Sequence, residues 1–304
     1  MKGKTMNYQT QFRLGASMYV PGTQSRRNLV SIGNGEKYPF LRSVIFCLED
    51  AVSIENLEQA IYNIRKMLPL LEKGSGPLRF IRVRNPEVLG RVLRMKGIEN
   101  IDGFVLPKLT ADNMPYYLAQ LTEKDDFWLM PTLETQEARE PKEMVRLRTL
   151  LMKNDWIRSH ILCLRIGGND LLNLTRLRRD PECTIYETEV GDVIKRLVGE
   201  FIPYGFGLTG AVFESDRHPE VLAREVVEDL RKGLYGKTAI HPSQITIIEN
   251  LYRVRANDLA EAQAILAANA PAVFKMNGRM CEVATHKNWA EDILLRYEIY
   301  GVRD

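Results

Sequence analysis

Short apolar runs recur along this chain, and each stops at a small cluster of polar or glycine residues. Ser43–Leu48 runs into Glu49-Asp50, Leu78–Val83 into Arg84-Asn85-Pro86, Gly103–Leu106 into Pro107-Lys108, and Phe127–Leu133 into Glu134-Thr135. Further on, Ile161–Ile166 runs into Gly167-Gly168-Asn169-Asp170, Leu208–Phe213 into Glu214-Ser215-Asp216, and Leu234–Ile240 into His241-Pro242-Ser243-Gln244. An earlier run, Arg13–Val20, stops at Pro21-Gly22. Runs of this kind read as buried strands. Between them the apolar spacing turns helical. Leu57, Ile61, Ile64 and Leu68 share a face between Ser53, a candidate N-cap, and Pro69. Asn85-Pro86 reads as an N-cap with Pro at the first helical position. Asp112–Leu121 and Thr135–Met152 read as helices. So do Val190–Phe201 and the stretch through Leu222, Val226 and Leu230, which Gly233 stops.

Strands alternating with helices predict a parallel α/β fold. Eight such units predict a (β/α)₈ TIM barrel over residues 1–253, with a C-terminal helical extension over 254–304. In the extension, Asp258 and Glu261 have capping-box spacing, and Pro271 is expected to end the helix they open. Asn277-Gly278 marks a hairpin turn, and His286–Tyr300 reads as a last helix. In such a barrel the carboxyl ends of the strands share one rim, so the polar clusters converge on one pocket.

The bulk numbers add limits. At 304 residues the chain accommodates one barrel, which takes about 250, plus a tail. The formal charge of +3 is small, and Lys and Arg are spread along the chain, which argues against nucleic acid as a partner. No apolar stretch is long enough to span a membrane, and Met1–Thr10 lacks the apolar stretch of a secretory signal. The four cysteines (Cys47, Cys163, Cys183 and Cys281) form no C-x-x-C pair. A reducing compartment, the cytosol, is the expected location.

Several strand-end residues carry chemistry. Arg82 and Arg84 are two apart on a strand, hence on one face, and either could grip a carboxylate. Glu134 and Asp170 follow neighbouring strands and could meet around a hard cation, or each could cap a helix. Glu49 and Asp50 could orient an Arg or serve as bases. Lys108 could contact an anionic substrate or pair with an acid. Gly168 and Asn169 lie where backbone can approach a ligand closely. His241 before Pro242 reads as a structural turn, and Cys47 as core packing.

Taken in order, Tyr19-Val20-Pro21-Gly22, Leu48-Glu49-Asp50-Ala51-Val52, Arg82-Val83-Arg84-Asn85-Pro86, Val105-Leu106-Pro107-Lys108, Leu133-Glu134-Thr135, Gly168-Asn169-Asp170-Leu171 and Gly236–Gln244 resemble the CitE-like branch of the HpcH/HpaI aldolase and citrate lyase β-subunit superfamily. The resemblance is greatest to a divergent group of TIM-barrel carbon–carbon bond lyases, often encoded beside tellurium-resistance genes. It implies a Mg²⁺ site at Glu134 and Asp170, and an Arg after strand three, Arg82 by motif with Arg84 as rival, that binds substrate and stabilises an enolate. It implies a small carboxylate or an acyl-coenzyme A thioester as substrate, and a homo-oligomer, trimer or hexamer, in which the tail packs on a neighbouring subunit. The chain departs from the family pattern at Cys47, where an Asp is usual, at Thr23–Arg27, and at Asn277–Glu282. Arg26 and Arg27 could still bind a phosphate, and Glu282 could replace the usual acid.

The expected activity is therefore Mg²⁺-dependent carbon–carbon cleavage of a small organic acid or its thioester. Two alternatives share the pocket: a ligand-binding or scaffolding subunit without turnover, and a hydrolase or transferase on the same residues.

Overall fold

The computed structural model describes residues 8–303, so most of Met1–Thr10 lies outside the described residues. Seven parallel strands form one curled sheet: β1 (Ser17–Pro21), β2 (Ser43–Cys47), β3 (Leu78–Arg82), β4 (Gly103–Leu106), β5 (Trp128–Leu133), β6 (Arg165–Ile166) and β7 (Thr238–Ala239). Their spatial order is β6-β5-β4-β3-β2-β1-β7. The expected strand Leu208–Phe213 contributes only single bridges, from Leu208 to Leu164 on one side and to Leu234 on the other. Within this run Gly210 packs against the buried Asp229 carboxylate, and a Cβ there would come within 2.5 Å of it. The first strand begins at Ser17 rather than Arg13, because Gly15 turns the chain with a φ of 57°.

Helices cover the outside of the sheet. Asn85 caps the helix Pro86–Leu93 as expected, its side chain accepting from the Val88 N–H at 2.9 Å. Ser53 makes no cap bond, and the next segment opens as a 3₁₀ turn, Ile54–Asn56, before the helix Leu57–Met67. The Thr135–Met152 helix is split by Pro141 into a 3₁₀ turn, Gln136–Arg139, and a helix, Pro141–Lys153. The Asp112–Leu121 helix shortens to Met114–Leu118, because Thr110 and Asn113 bond each other's backbone in a local loop.

Two side-chain layers fill the space inside the sheet. The lower is apolar: Leu14, Ile45, Phe80, Val105, Met130, Leu162 and Cys163. The upper, nearer the carboxyl side, is polar, with Tyr19, Cys47, Arg82, Thr132, Arg165 and Thr238 taken from β1, β2, β3, β5, β6 and β7. The switch from apolar to polar along each strand makes that end the place for chemistry.

Beyond the sheet come the helices Ala256–Ile265 and Val283–Tyr300, with an antiparallel hairpin between them. The hairpin pairs Met276 with Arg279 and turns on Asn277 (φ 49°) and Gly278 (φ 77°), as the dipeptide signals. The expected capping box does not form. The helix already starts at Ala256, and Asp258 and Glu261 instead bind the Arg279 guanidinium at 2.8 and 2.6 Å. That helix ends at Ile265, well before Pro271. Among the described residues no helix is long and apolar enough to cross a membrane.

Candidate active site

A cavity of about 290 Å³ opens at the carboxyl ends of the strands. Its walls include Tyr19, Asp50, Arg82, Glu134 and Asp170 together with Thr132, Arg165, Gly167, Gly168, Asn169 and Thr238.

Arg82 ends β3. Its Nη1 lies 3.1 Å from Glu49 Oε2 and 3.5 Å from Asp50 Oδ2. Its Nε and Nη2 donate to Cys47 Sγ at 3.3 and 3.1 Å, and its guanidinium sits over the Tyr19 ring at 4.7 Å. Burial disfavours its charge, but Tyr19, Cys47 and Glu49 outweigh burial and raise its pKa. Cys47 is fully buried, as read from sequence, yet it does more than pack, since it fixes one edge of this guanidinium. Arg84 lies elsewhere. The expectation that the two arginines share a face assumed a strand continuing through Arg84, whereas β3 ends at Arg82. Arg84 donates to the backbone oxygens of Glu49 (3.0 Å) and Val52, bracing the loop after β2, and it does not line the cavity.

Glu49 is almost fully buried. Its Oε1 takes the Lys108 ammonium at 2.6 Å, and its Oε2 takes Arg82 and the Asp50 N–H, the latter at 2.8 Å. With both oxygens engaged and no exposure to the cavity, Glu49 holds Arg82 and Lys108 in place. Burial, reinforced by the hydrogen bond with Asp50, raises its pKa. Asp50 faces the cavity. Burial works against its charge but is outweighed by the hydrogen bond with Glu49 and by Arg82 and Lys108, so its pKa is lowered.

Lys108 follows β4 with a φ of 51°, a conformation uncommon for a residue with a side chain. Its backbone N–H donates to Glu134 Oε1 at 2.8 Å. Its ammonium reaches Glu49, then Asp50 at 3.2 Å and Asp170 at 3.6 Å. Lys108 therefore ties three strand ends together.

Glu134 follows β5, and Asp170 sits in the first turn of the helix Gly168–Leu174 after β6. Gly167 lets them come close: a Cβ there would meet Glu134 Oε2 at 2.1 Å. Glu134 is 3% exposed, and burial, followed by the charge of Asp170, pushes its pKa up to about 8. Two carboxylates crowded in one pocket resist sharing two negative charges, and a cation between them relieves the conflict. Among the described residues no group of three or more His, Cys, Asp or Glu forms a metal cage. A pair of carboxylates is nonetheless a donor set that fits Mg²⁺, which keeps several waters and needs few protein ligands.

The other sequence candidates fall outside the cavity lining. His241 accepts from the Ser243 N–H and caps the helix Pro242–Tyr252, the structural role expected for it. Arg26 and Arg27 open the helix Arg26–Gly33, and Glu282 ends the tail hairpin. Sequence reading missed Tyr19, Thr132, Arg165 and Thr238. The available signal was a charged residue inside the apolar run Ile161–Ile166, where a buried arginine needs a reason.

A curled parallel sheet with a polar mouth and paired carboxylates defines an α/β protein of the TIM-barrel type. Residues 8–302 match the family of C–C bond lyases of the TIM-barrel fold, and the chain belongs to that family. It is 24% identical, over 83% of its length and 81% of the relative's, to a (3S)-malyl-CoA thioesterase of Cereibacter sphaeroides. Among solved structures it resembles a citrate lyase from Burkholderia xenovorans (TM-score 0.71, 15% identity, 95% and 93% of the two chains covered). It also resembles the protein CitE from Mycobacterium tuberculosis in complex with magnesium, acetoacetate and coenzyme A (TM-score 0.68, 19% identity, 94% and 99% covered).

Proposed function

We propose that this chain is a Mg²⁺-dependent carbon–carbon lyase or aldolase acting on a small organic acid or its acyl-coenzyme A thioester. The observation that carries this reading is Glu134: a buried carboxyl raised to about 8 beside Asp170, in the same cavity as Arg82. Glu134 and Asp170 would hold the cation. When bound, Mg²⁺ supplies a concentrated positive charge that polarises substrate oxygens. Arg82, held charged and immobile by Glu49, Cys47 and Tyr19, faces the oxygen on which negative charge develops as the carbon–carbon bond breaks and an enolate is left. Asp50, ionised and exposed to the cavity, is the better-placed proton acceptor. Glu49, committed to Lys108 and Arg82, positions both. Gly168 and Asn169 line the wall where substrate backs onto the helix.

A second reading is hydrolysis of an acyl-coenzyme A thioester at the same residues, favoured by the likeness to a thioesterase. The cavity of about 290 Å³ suits the acyl part, with the coenzyme left outside. Incubating the protein with Mg²⁺ and a panel of small oxo- and hydroxy-acids and their thioesters, read by mass spectrometry, separates the readings. Paired cleavage fragments that vanish in Glu134→Gln support the lyase. Free coenzyme A with an intact acid supports the hydrolase. Ligand retention without any product supports a scaffolding subunit.

The assembly is read as a cytoplasmic homo-oligomer, trimer or hexamer, whose segment 254–304 packs on a neighbouring copy. Among the described residues none beyond Ile240 lines the cavity of the single chain, and the helix Val283–Tyr300 is anchored on this chain's own barrel through Tyr300 to the Phe12 oxygen and Arg42 to the Ile299 oxygen. Light scattering that gives a monomer at micromolar concentration would exclude this.

A further inference from the structure

Arg165 is 2% exposed and lines the cavity. Its hydrogen bonds go to Thr238 Oγ1 at 2.5 Å and, weakly, to Met130 Sδ at 3.9 Å, and its guanidinium lies 5.8 Å from the centre of the Tyr19 ring. None of these partners is a carboxylate. Two other buried arginines of this chain, Arg79 and Arg179, are treated differently. Arg79 gives its donors to four backbone oxygens, those of Gly33, Glu72, Ser75 and Asn100. Arg179 is held by Glu214, Glu225 and the Val212 oxygen. A guanidinium has five donors, and a buried one without an anion is costly. Beside Arg165, as its register partner on β5, stands Thr132. The Thr132 hydroxyl is buried, has no hydrogen-bond partner among the described residues, and belongs to the same cavity wall. Two adjacent polar groups, one charged and one unused, thus face a single space.

We propose that Arg165 and Thr132, with Thr238 bracing the guanidinium, form a second anion subsite that receives a distal carboxylate, so that the substrate acid is a small dicarboxylate. The inference rests on the lyase reading for the other end of the ligand, which lies at Glu134 and Asp170. A carboxylate matches the subsite in shape and charge. Its two coplanar oxygens accept in parallel from a guanidinium and leave lone pairs for a hydroxyl. A phosphate dianion would need more positive charge than Arg165 alone brings, because Arg82 is already shared by Glu49 and Asp50. The cavity volume of about 290 Å³ also confines the acid to a few carbons. A purely structural Arg165, stacked near Tyr19, would not require the empty-handed Thr132 beside it.

The test compares two probes with the same oxo-acid head, oxaloacetate and 2-oxobutyrate, which differ in the distal carboxylate. Their binding to the full chain is measured by calorimetry, with Mg²⁺ and without it. The wild type is expected to prefer oxaloacetate by about tenfold or more in both conditions. Arg165→Met should remove that preference by weakening oxaloacetate alone, Arg165→Lys should restore part of it, and Thr132→Val should lower it by about threefold. Equal affinities in the wild type, or an Arg165→Met variant that weakens both probes alike, would overturn the subsite. Should Arg165→Met fail to fold, the Thr132→Val and Arg165→Lys ratios carry the same decision. Failure of the metal reading looks different: Mg²⁺ would bind wild type and Glu134→Gln equally, while the preference created by Arg165 would persist.

Discussion

Two buried clusters of charge pack against the sheet, and they are built to opposite rules. In the first, Lys237 is fully buried between the last strand and the helix Pro219–Arg231. Its three donors meet three acceptors: the Ala211 oxygen at 2.7 Å, Glu225 Oε1 at 2.7 Å and Asp229 Oδ2 at 2.9 Å. Glu225 also takes Arg179 and the Ile185 N–H, and Asp229 takes the Tyr186 hydroxyl. In the second cluster, at the cavity, Glu134 is crowded by a like charge, and among the described residues Arg165 has no carboxylate partner and the Thr132 hydroxyl has no partner at all. The first cluster is complete without a ligand. The second leaves openings that the proposed cation and acid would fill. Burial alone therefore does not separate structure from function, but the balance of donors and acceptors does.

The largest effect expected from this contrast is on stability at the complete cluster. Lys237→Met leaves Asp229 buried without a cation and Glu225 with Arg179 alone, and should destabilise the fold by about 3–5 kcal/mol. Guanidinium denaturation measures it. A loss below about 1 kcal/mol would mean that the network relaxes and that its completeness carries little of the stability.

At the cavity the largest effect should be on the metal and not on the fold. Glu134→Gln removes one of the two ligands proposed for Mg²⁺, and turnover should fall by at least about 100-fold with the melting temperature unchanged or raised. pH gives the same information in the wild type. Glu134 has its folded pKa raised to about 8 from 4.5, so its contribution to stability is fully present below 4.5 and is lost as pH rises through about 8. Metal-free protein should therefore lose stability from this group over that window. Mg²⁺ affinity should climb over the same window as the proton leaves. Thermal melts with and without Mg²⁺ at stepped pH check both signs, and a Mg²⁺ affinity flat between pH 6 and 9 would contradict the assignment.

Gly167→Ala should act on both levels at once. The added methyl would overlap Glu134 at its Oε2 and Cβ (2.1 and 2.4 Å), and the carboxylate is tethered to the Lys108 N–H and cannot simply swing away. Overpacking of this kind costs about 1–3 kcal/mol. Mg²⁺ affinity should drop along with stability, whereas an exposed helical control, Gly199→Ala, with nothing near its Cβ, should lower neither.

How far the chain could be read in advance follows from the same contrast. The strand ends were legible because apolar runs stop at glycine, proline and charge, and that placed Arg82, Lys108, Glu134 and Asp170 at one rim. The Asn277-Gly278 turn was legible because both residues tolerate positive φ. The short ladder at Leu208–Phe213 was not, since which backbone groups pair depends on contacts from distant segments, such as Asp229 beside Gly210, that local spacing does not report. Nor was the different fate of Arg82 and Arg84, which depends on where β3 stops. Arg165 was hidden inside an apolar run because periodicity reports which residues are buried and says nothing about whether a buried group has a partner.

The smallest effect separates the two clusters most sharply. Arg165→Met, judged only by stability, removes a buried charge that has no ion pair to lose. Met keeps much of the length of the side chain and can pack against Met130 and Tyr19, the groups already beside the guanidinium. The lost bond to the Thr238 hydroxyl offsets part of the gain, so the free energy of unfolding should stay within about 1 kcal/mol of wild type and could rise. Lys237→Met, the same change of a buried cation to the same residue, is expected to cost several times more. If denaturant titrations instead gave both variants equal losses, Arg165 would be holding the barrel mouth together just as Lys237 holds its helix. Its missing carboxylate would then no longer mark a place for a ligand.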